Sequence, residues 1–396
     1  MFKHLFKLIW NKKKQNALLI TEMLVSFLVM FAVFSMIVNF YHNYRTPLGF
    51  EYKNVWLINI DNPPHFNKGD SAAMYYQNIR NVLTNMPEVK EISYSSGNTP
   101  FTSSTMTTGY RHKSKLYSPV NFFRAEDPYD NAFDLNLLEG RWFDKRDNAA
   151  TVEPVVINQS FKEQMFGKGK ATGQLIGGYD EKDTKKMRIV GVIADMKDKG
   201  DFRPAGMSLY TRIDTGFFHH VGRIVVKVTP AAGAAFEGRL YKTVANIMKE
   251  STIGIERFSQ KRDKMNKETL MPVVILLILA GFLIINVALG LFGVLWYNIN
   301  KRRGEIGLRR AIGATGNSVS AQIVGESMLL ATLSLIVGSF FAVQFPLLNV
   351  FDLPAGVYIT AMFLAILFIY VLVLVCSLYP GRQAAAVYPA VALHEE

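Results

Sequence analysis

The sequence predicts a membrane α-helical protein of four transmembrane helices, with a large α/β extracytoplasmic domain inserted between helices 1 and 2. Three observations carry this. Four apolar stretches each exceed the roughly 20 residues that cross a bilayer core. Clusters of basic residues flank them on one side only, and strand-like and helix-like patterns alternate through a long polar region between the first two. Composition agrees: of 396 residues, 49% are hydrophobic and 19% charged, too apolar for an ordinary soluble enzyme and too charged for a helix bundle alone.

The first span, 16–41, contains one charge, Glu22. Lys12, Lys13 and Lys14 precede it, as in a signal peptide, but the apolar run is longer than a signal h-region. No small-x-small cleavage site follows, so a retained signal anchor is expected. Residues 1–15 carry Lys3, Lys7, Lys12, Lys13 and Lys14 with no acid. Lysine and arginine mark the cytoplasmic side, which places this terminus inside and 42–268 outside. The second span covers 269–297. Segment 298–318 then carries Lys301, Arg302, Arg303, Arg309 and Arg310 against Glu305 and is expected in the cytoplasm. A third span, 319–345, holds only Glu326; a short outer loop, 346–356, leads to an uncharged fourth span, 357–379; and 380–396 returns to the cytoplasm. Topology thus absorbs much of the net charge of +12, and no nucleic-acid partner is expected.

In the external region, Val55–Ile60, Val89–Tyr94, Val155–Asn158, Met187–Ile193 and Ile224–Val228 are rich in β-branched residues and bounded by Gly, Pro, Asn or Asp, which predicts strands. Helical spacing over Ser71–Met86 and Phe236–Met248, and a further strand at Ile253–Phe258, make strand, helix, strand at both ends of the region. A membrane-proximal α/β subdomain is therefore expected from 42–94 and 222–268, with 95–221 inserted as a β-rich subdomain. Cys376 is the single cysteine, so no internal disulfide supports this domain.

The signatures of catalysis are missing from the sequence. A phosphate-binding loop needs Gly-x-x-x-x-Gly-Lys followed by Ser or Thr, so that successive amides cradle the phosphates; Gly167-Lys-Gly-Lys-Ala-Thr-Gly173 has neither the spacing nor the ending. There is no Gly-x-Ser-x-Gly elbow, His-Glu-x-x-His helix or Cys-x-x-Cys pair. His219 and His220 are adjacent, but side chains of neighbouring strand residues point to opposite faces, and too few other ligands accompany them for a metal site. No catalytic residue, bound cofactor or metal is expected in this chain.

The most informative stretch runs from Lys301 to Thr315. Its basic residues alone would serve as an orientation signal, yet that leaves Ile306, Leu308 and Ile312 unexplained in a cytoplasmic loop. Glu305 and Arg309 stand four apart in the order that favours a helix. A short amphipathic helix is predicted, with Ile306 and Leu308 or Ile312 as an apolar anchor for a partner protein. Arg303, Glu305, Arg309, Arg310 and Gly313 complete the candidate coupling residues.

Arg302, Glu305, Ile306, Gly307, Arg310, Ala311, Gly313 and Ala314 match an Arg-x-x-Glu-Ile-Gly-x-x-Arg-Ala-x-Gly-Ala pattern. By it the sequence resembles the MacB/FtsX-type family of ABC transporter permeases, the type VII or mechanotransmission group. Leu138–Phe143, Val155–Asn158, Phe166-Gly167, Ile189–Asp195 and Tyr379–Pro389 through Leu393 extend the likeness over the whole chain. The resemblance implies a MacB-like periplasmic domain in the bacterial inner membrane and a permease that dimerises with a second copy or a paralogue. It also implies a cytoplasmic ABC ATPase that binds ATP and Mg. MacB carries its ATPase before the first span, where only 1–15 stand here, so a stand-alone permease with a separate ATPase is expected. Efflux, handling of lipoprotein or envelope substrates, and a periplasmic adaptor are the associated roles and partners; the alternative is a membrane-anchored scaffold or signalling protein that activates an envelope enzyme without transport.

Glu22 and Glu326 are acids within lipid-facing spans, where charge is costly. Both lie near the cytoplasmic ends, so snorkelling or an interhelical hydrogen bond is expected. Gly281, Ala288 and Gly290 offer small surfaces for a dimer contact.

Overall fold

The computed structural model describes residues 13–61, 71–103, 105–180, 186–213 and 221–388. His219 and His220 lie outside them. The chain divides into a helical unit, Met1–His42 with Leu270–Glu396, and an α/β unit, Asn43–Thr269.

Among the described residues, four helices are long and apolar enough to cross a membrane: α1 (Lys13–Arg45), α6 (Phe258–Lys301), α8 (Gly316–Leu347) and α9 (Ala355–Ala385). They share a core of Leu19, Met23, Phe27 and Phe31 from α1, Val287 and Leu291 from α6, Leu330 and Leu335 from α8, and Ala361, Ala365, Ile369 and Val373 from α9. The α9 residues recur every fourth position, and the two alanines among them let the helix backbones approach. Larger residues such as Ile278, Phe282, Ile285 and Leu289 point outward, the arrangement expected where lipid is the solvent. Gly338 marks one close approach: a Cβ there would stand 2.4 Å from the Phe27 ring. The helix that holds the expected second span begins at Phe258, since residues 258–268, rich in charged and polar side chains, also keep helical geometry.

The α/β unit contains β1 (Val55–Asp61), α2 (Ser71–Thr84), β2 (Val89–Gly97), β3 (Thr107–His112), β4 (Lys115–Ala125), α3 (Tyr129–Phe133), β5 (Leu137–Gly140), β6 (Glu153–Asn158), α4 (Gln159–Phe166), β7 (Leu175–Gly177), β8 (Lys186–Ile193), β9 (Ser208–Arg212), β10 (Arg223–Val228), α5 (Ala234–Ile247) and β11 (Thr252–Arg257). One sheet runs β11-β1-β10-β2-β4-β3-β7-β8-β6-β9, with β5 on β8. Strand β1 is buried on both faces, and its alternation explains why. Trp56, Ile58 and Ile60 join Tyr76, Ile79 and Leu83 of α2 and Leu240 and Val244 of α5, whereas Val55 and Leu57 join Phe123, Tyr129, Phe133 and Tyr210 in an aromatic core. A third core packs Phe161 and Met165 of α4 on Tyr110, Tyr117, Val155 and Ile189.

The eight strands and helices expected in this region are present, with ends shifted by one to three residues. The structure adds the eleven-residue strand β4 and the shorter elements β3, β5, β7, β9, α3 and α4. The expected boundary at 94/95 falls inside β2, whose Ser95 pairs with Arg223 of β10 while Ser96 and Gly97 pair with Arg124 and Phe123 of β4. The aromatic core likewise takes residues from both sides of it.

Candidate functional site: the helix between the second and third spans

The predicted helix is α7, Arg303–Ala311, separated from α6 by a break at Arg302, whose ψ of 17° leaves the helical range. A Schellman motif ends it: Ala314 N–H donates to Arg309 O at 3.0 Å and Gly313 N–H to Arg310 O at 3.2 Å. Gly313 has φ +105°, a conformation that side chains with a Cβ rarely adopt. Thr315 then caps α8 by accepting from Ser318 N–H.

One face of α7 is turned to the chain itself. Ile306, 8% exposed, packs with Leu295 and Ile299 of α6, Val319 and Ile323 of α8, and Ala384 of α9. Arg310 Nη1 donates to the carbonyls of Ala385 at 2.5 Å and Val387 at 2.9 Å, satisfying groups that the end of α9 leaves open. Close packing of α8 on α9 supports this seat: a Cβ on Gly381 would lie 2.7 Å from Ser320 Oγ, and one on Gly316 3.1 Å from Ala385 O.

The opposite face carries Gly304, Leu308, Ala311 and Ile312, all exposed, with Glu305 at its edge. Leu308 is 54% and Ile312 78% exposed. Of the apolar residues expected to anchor a partner, Ile306 faces the chain itself. Ile306 fixes α7 to its own spans, and the outward apolar pair is Leu308 and Ile312, four apart and so on one helical face. Arg310 likewise serves α9 rather than an outer rim, and Arg303 is half-buried.

A chain of polar contacts stiffens the margin. Glu305 Oε1 accepts from Arg309 Nη2 at 2.5 Å, Arg309 Nη1 donates to Gln322 Oε1 at 2.8 Å, and Gln322 Nε2 donates to Glu326 Oε1 at 3.1 Å. Arg302 Nη1 lies 3.3 Å from both Glu326 oxygens, and its Nε 3.7 Å from Glu305. Glu326 thus has an interhelical partner, as expected of an acid near a span's end. Glu22 differs. Its Oε2 is buried without a hydrogen bond and lies so close to α6 that a Cβ on Gly290 would stand 2.6 Å away. Gly290 accordingly serves a contact within the chain, whereas a Cβ on Gly281 would meet nothing within 4 Å. Gln322 was not singled out from the sequence, although its place four before Glu326 on a helix is a readable pairing signal.

Two family models match: the MacB-like periplasmic core domain over residues 19–240 and the FtsX-like permease C-terminal over 277–389. The macrolide export ATP-binding/permease protein MacB 1/2 of Paracoccus denitrificans (strain Pd 1222) is 26% identical over 275 residues, 67% of this chain and 39% of that protein. MacB of Neisseria gonorrhoeae is 26% identical over 256 residues, 62% and 38% respectively. This chain therefore spans about two-fifths of the length of those relatives. The uncharacterized ABC transporter permease YvrN of Bacillus subtilis (strain 168) is 22% identical over 302 residues, 69% of this chain and 70% of that one. Among solved structures, the periplasmic region of MacB from Actinobacillus actinomycetemcomitans is 15% identical with TM-score 0.38, covering 54% of this chain and 92% of that one. With a MacB-like core domain matched over more than half its residues and an FtsX-like region over the last three spans, the chain belongs to the MacB/FtsX-type family of ABC transporter permeases.

Proposed function

We propose that this chain is a permease subunit that converts ATP hydrolysis by a cytoplasmic ABC ATPase into conformational change of its periplasmic domain, for efflux or for handling lipoprotein or other envelope substrates. The ATPase binds ATP and Mg, and its groove receives α7. The permease acts as a dimer with a second copy or a paralogue, surrounded by membrane lipid, with both termini cytoplasmic. A periplasmic adaptor or lipoprotein is a further partner.

The observation that carries this reading is the two-sided character of α7. Its inner face is fixed to three spans by Ile306 and Arg310, while its outer face presents Leu308 and Ile312 to solvent with Glu305 beside them. An apolar pair four apart on a rigidly seated helix fits groove recognition by a partner. A helix serving only as a charge signal has no need of exposed leucine and isoleucine.

The test begins by identifying the ATPase that co-purifies with the tagged chain from native membranes, then reconstituting both in nanodiscs. Leu308→Ala with Ile312→Ala is expected to lose ATPase binding and permease-dependent ATP turnover, while the chain inserts and folds normally. Wild-type binding and turnover in that variant would overturn the assignment.

A further inference from the structure

One loop of the periplasmic domain, 194–202, holds both the segment that follows α1 and the first turns of α6. Lys197 is 3% exposed, and its Nζ donates to Asn43 O at 2.6 Å, Thr46 O and Thr46 Oγ1 at 3.2 Å, and Asp201 O at 2.7 Å. Its N–H donates to Leu48 O at 2.9 Å. Asp201, 5% exposed, receives Arg262 through both oxygens at 3.1 and 2.6 Å and Asn266 Nδ2 at 2.6 Å. Asp201 N–H in turn donates to Asn266 Oδ1 at 3.0 Å. Two buried charges of opposite sign thus grip the incoming and outgoing segments from the same loop.

Between them stands Asp198, which has no such partner. It is 2% exposed, and its carboxylate accepts from Asn121 Nδ2 on β4 at 3.3 Å and from its own backbone N–H. Its backbone carbonyl receives Phe101 N–H at 2.7 Å, which ties the loop to the aromatic core. The groups that act on it are few. Lys199, in the same loop, attracts it but spends its Nζ on Thr102 O at 2.6 Å. Tyr129 on α3 and Tyr210 on β9 are buried phenols within its electrostatic reach; Asp195 acts on Tyr210, and Arg223 on β10 acts on Tyr129. Tyr129 OH and Thr99 Oγ1 are buried with no hydrogen-bond partner. A carboxylate desolvated this far, with one long side-chain hydrogen bond and no ion pair at contact distance among the described residues, is costly in its charged form, and such groups concentrate at functional sites.

We propose that Asp198 is a proton-binding site that sets how firmly loop 194–202 clasps the two segments, the clasp being tighter when the carboxyl is neutral. The step is a single protonation: a carboxylate oxygen takes a proton from the periplasmic medium, becomes a hydroxyl able to donate as well as accept, and no other bond changes. Burial pushes the Asp198 carboxyl up from 3.8 to about 6, with Lys199 partly offsetting the effect. A raised value means that the closed loop binds the proton more tightly than the opened, solvated one. Closure is therefore favoured as pH falls through about 6 and weakened as it rises above.

Hydrogen exchange on the full chain in nanodiscs tests this, read by mass spectrometry on peptides covering 98–102 and 195–202 and corrected for the intrinsic pH dependence of exchange. Protection of these peptides in the wild type is expected to rise about tenfold between pH 7.5 and pH 5, as linkage for one such group requires. Asp198→Asn, neutral at every pH, is expected to show high protection at both. Unchanged wild-type protection would overturn the proposal whether or not the variant folds. A folded Asp198→Asn chain that keeps the tenfold rise would overturn it too, by assigning the effect to another group.

Discussion

Truncating Leu308 and Ile312 together separates a docking surface from an internal strut. About half of Leu308 and three-quarters of Ile312 is still in contact with solvent, so the chain's own stability is expected to change by only a few tenths of a kcal/mol. Full burial of a leucine or isoleucine side chain contributes about 1.5–3 kcal/mol. Covering the exposed remainder of both therefore contributes about 2–4 kcal/mol, or roughly 30- to 700-fold in Kd at about 1.4 kcal/mol per decade. Ile306→Ala makes the internal comparison. With 8% of the residue exposed, the substitution opens a cavity among Leu295, Ile299, Val319 and Ile323, at a cost of about 2–4 kcal/mol that falls on the seating of α7. The assay is biolayer interferometry of nanodisc-held permease against the purified ATPase, with thermal unfolding of the same preparations. The double variant should keep its Tm and lose affinity, whereas Ile306→Ala should lose thermal stability. If the double variant binds within twofold of wild type while Ile306→Ala abolishes binding without lowering Tm, the outward face is not the docking face.

Gly338→Ala is expected to destabilise the helical unit by about 1–3 kcal/mol, seen as a lower unfolding temperature in detergent, because its Cβ must displace the buried Phe27 ring. Asp198→Asn should stabilise the periplasmic domain by about 3 kcal/mol at pH 7.5, the equivalent of a shift from 3.8 to about 6. The sign follows from the raised value: the penalty builds up as pH rises from 3.8 to about 6 and is full above that, so the gain in a urea titration of the full chain should shrink as pH falls below about 6 and vanish below 3.8. In a Cys376→Ala background, Asp180→Cys should react with an impermeant thiol reagent from outside and Asn317→Cys only after the inner membrane is opened; external labelling at 317 would reverse the topology.

Long apolar runs made the spans readable, because a helix surrounded by lipid must be apolar over its whole length. In the periplasmic domain, strands of six or more residues packed on both sides were readable from their β-branched content, as with Val55–Ile60. Their neighbours were not. Strand β4 carries Pro119, which ordinarily demotes a strand, and β3 carries Gly109, where a Cβ would stand 2.9 Å from both Leu116 and Tyr179. Strands β5 and β7 have four and three residues, too few for any periodicity to register. Such strands exist because longer neighbours pair with them. The parallel pairings β4–β9 and β6–β8, which set the topology, join segments far apart in sequence and leave no local pattern.

The orientation of α7 was hidden for a different reason. Its nine residues hold apolar side chains on two faces, and periodicity does not say which face meets the chain and which a partner. Length supplies the missing criterion. An isolated helix this short is unstable in water, because nucleation is costly and few hydrogen bonds follow it. Before α7 can present anything to a partner it must be held by its own protein, and the holding face must be the one with the more specific partners. Ile306 has the apolar ends of three spans around it, and Arg310, four residues on and so on the same side, has two carbonyls of the α9 terminus. Among the described residues Leu308 and Ile312 have no such neighbours, and their exposure is what remains once the strut is accounted for. The same reasoning makes Gly381 and Gly316 part of the site although neither lies in α7: they bring α8 and α9 close enough for the α9 terminus to stand where Arg310 can reach it. A bulky residue at 381 should therefore unseat α7 and weaken ATPase binding from a distance, with Leu308 and Ile312 intact.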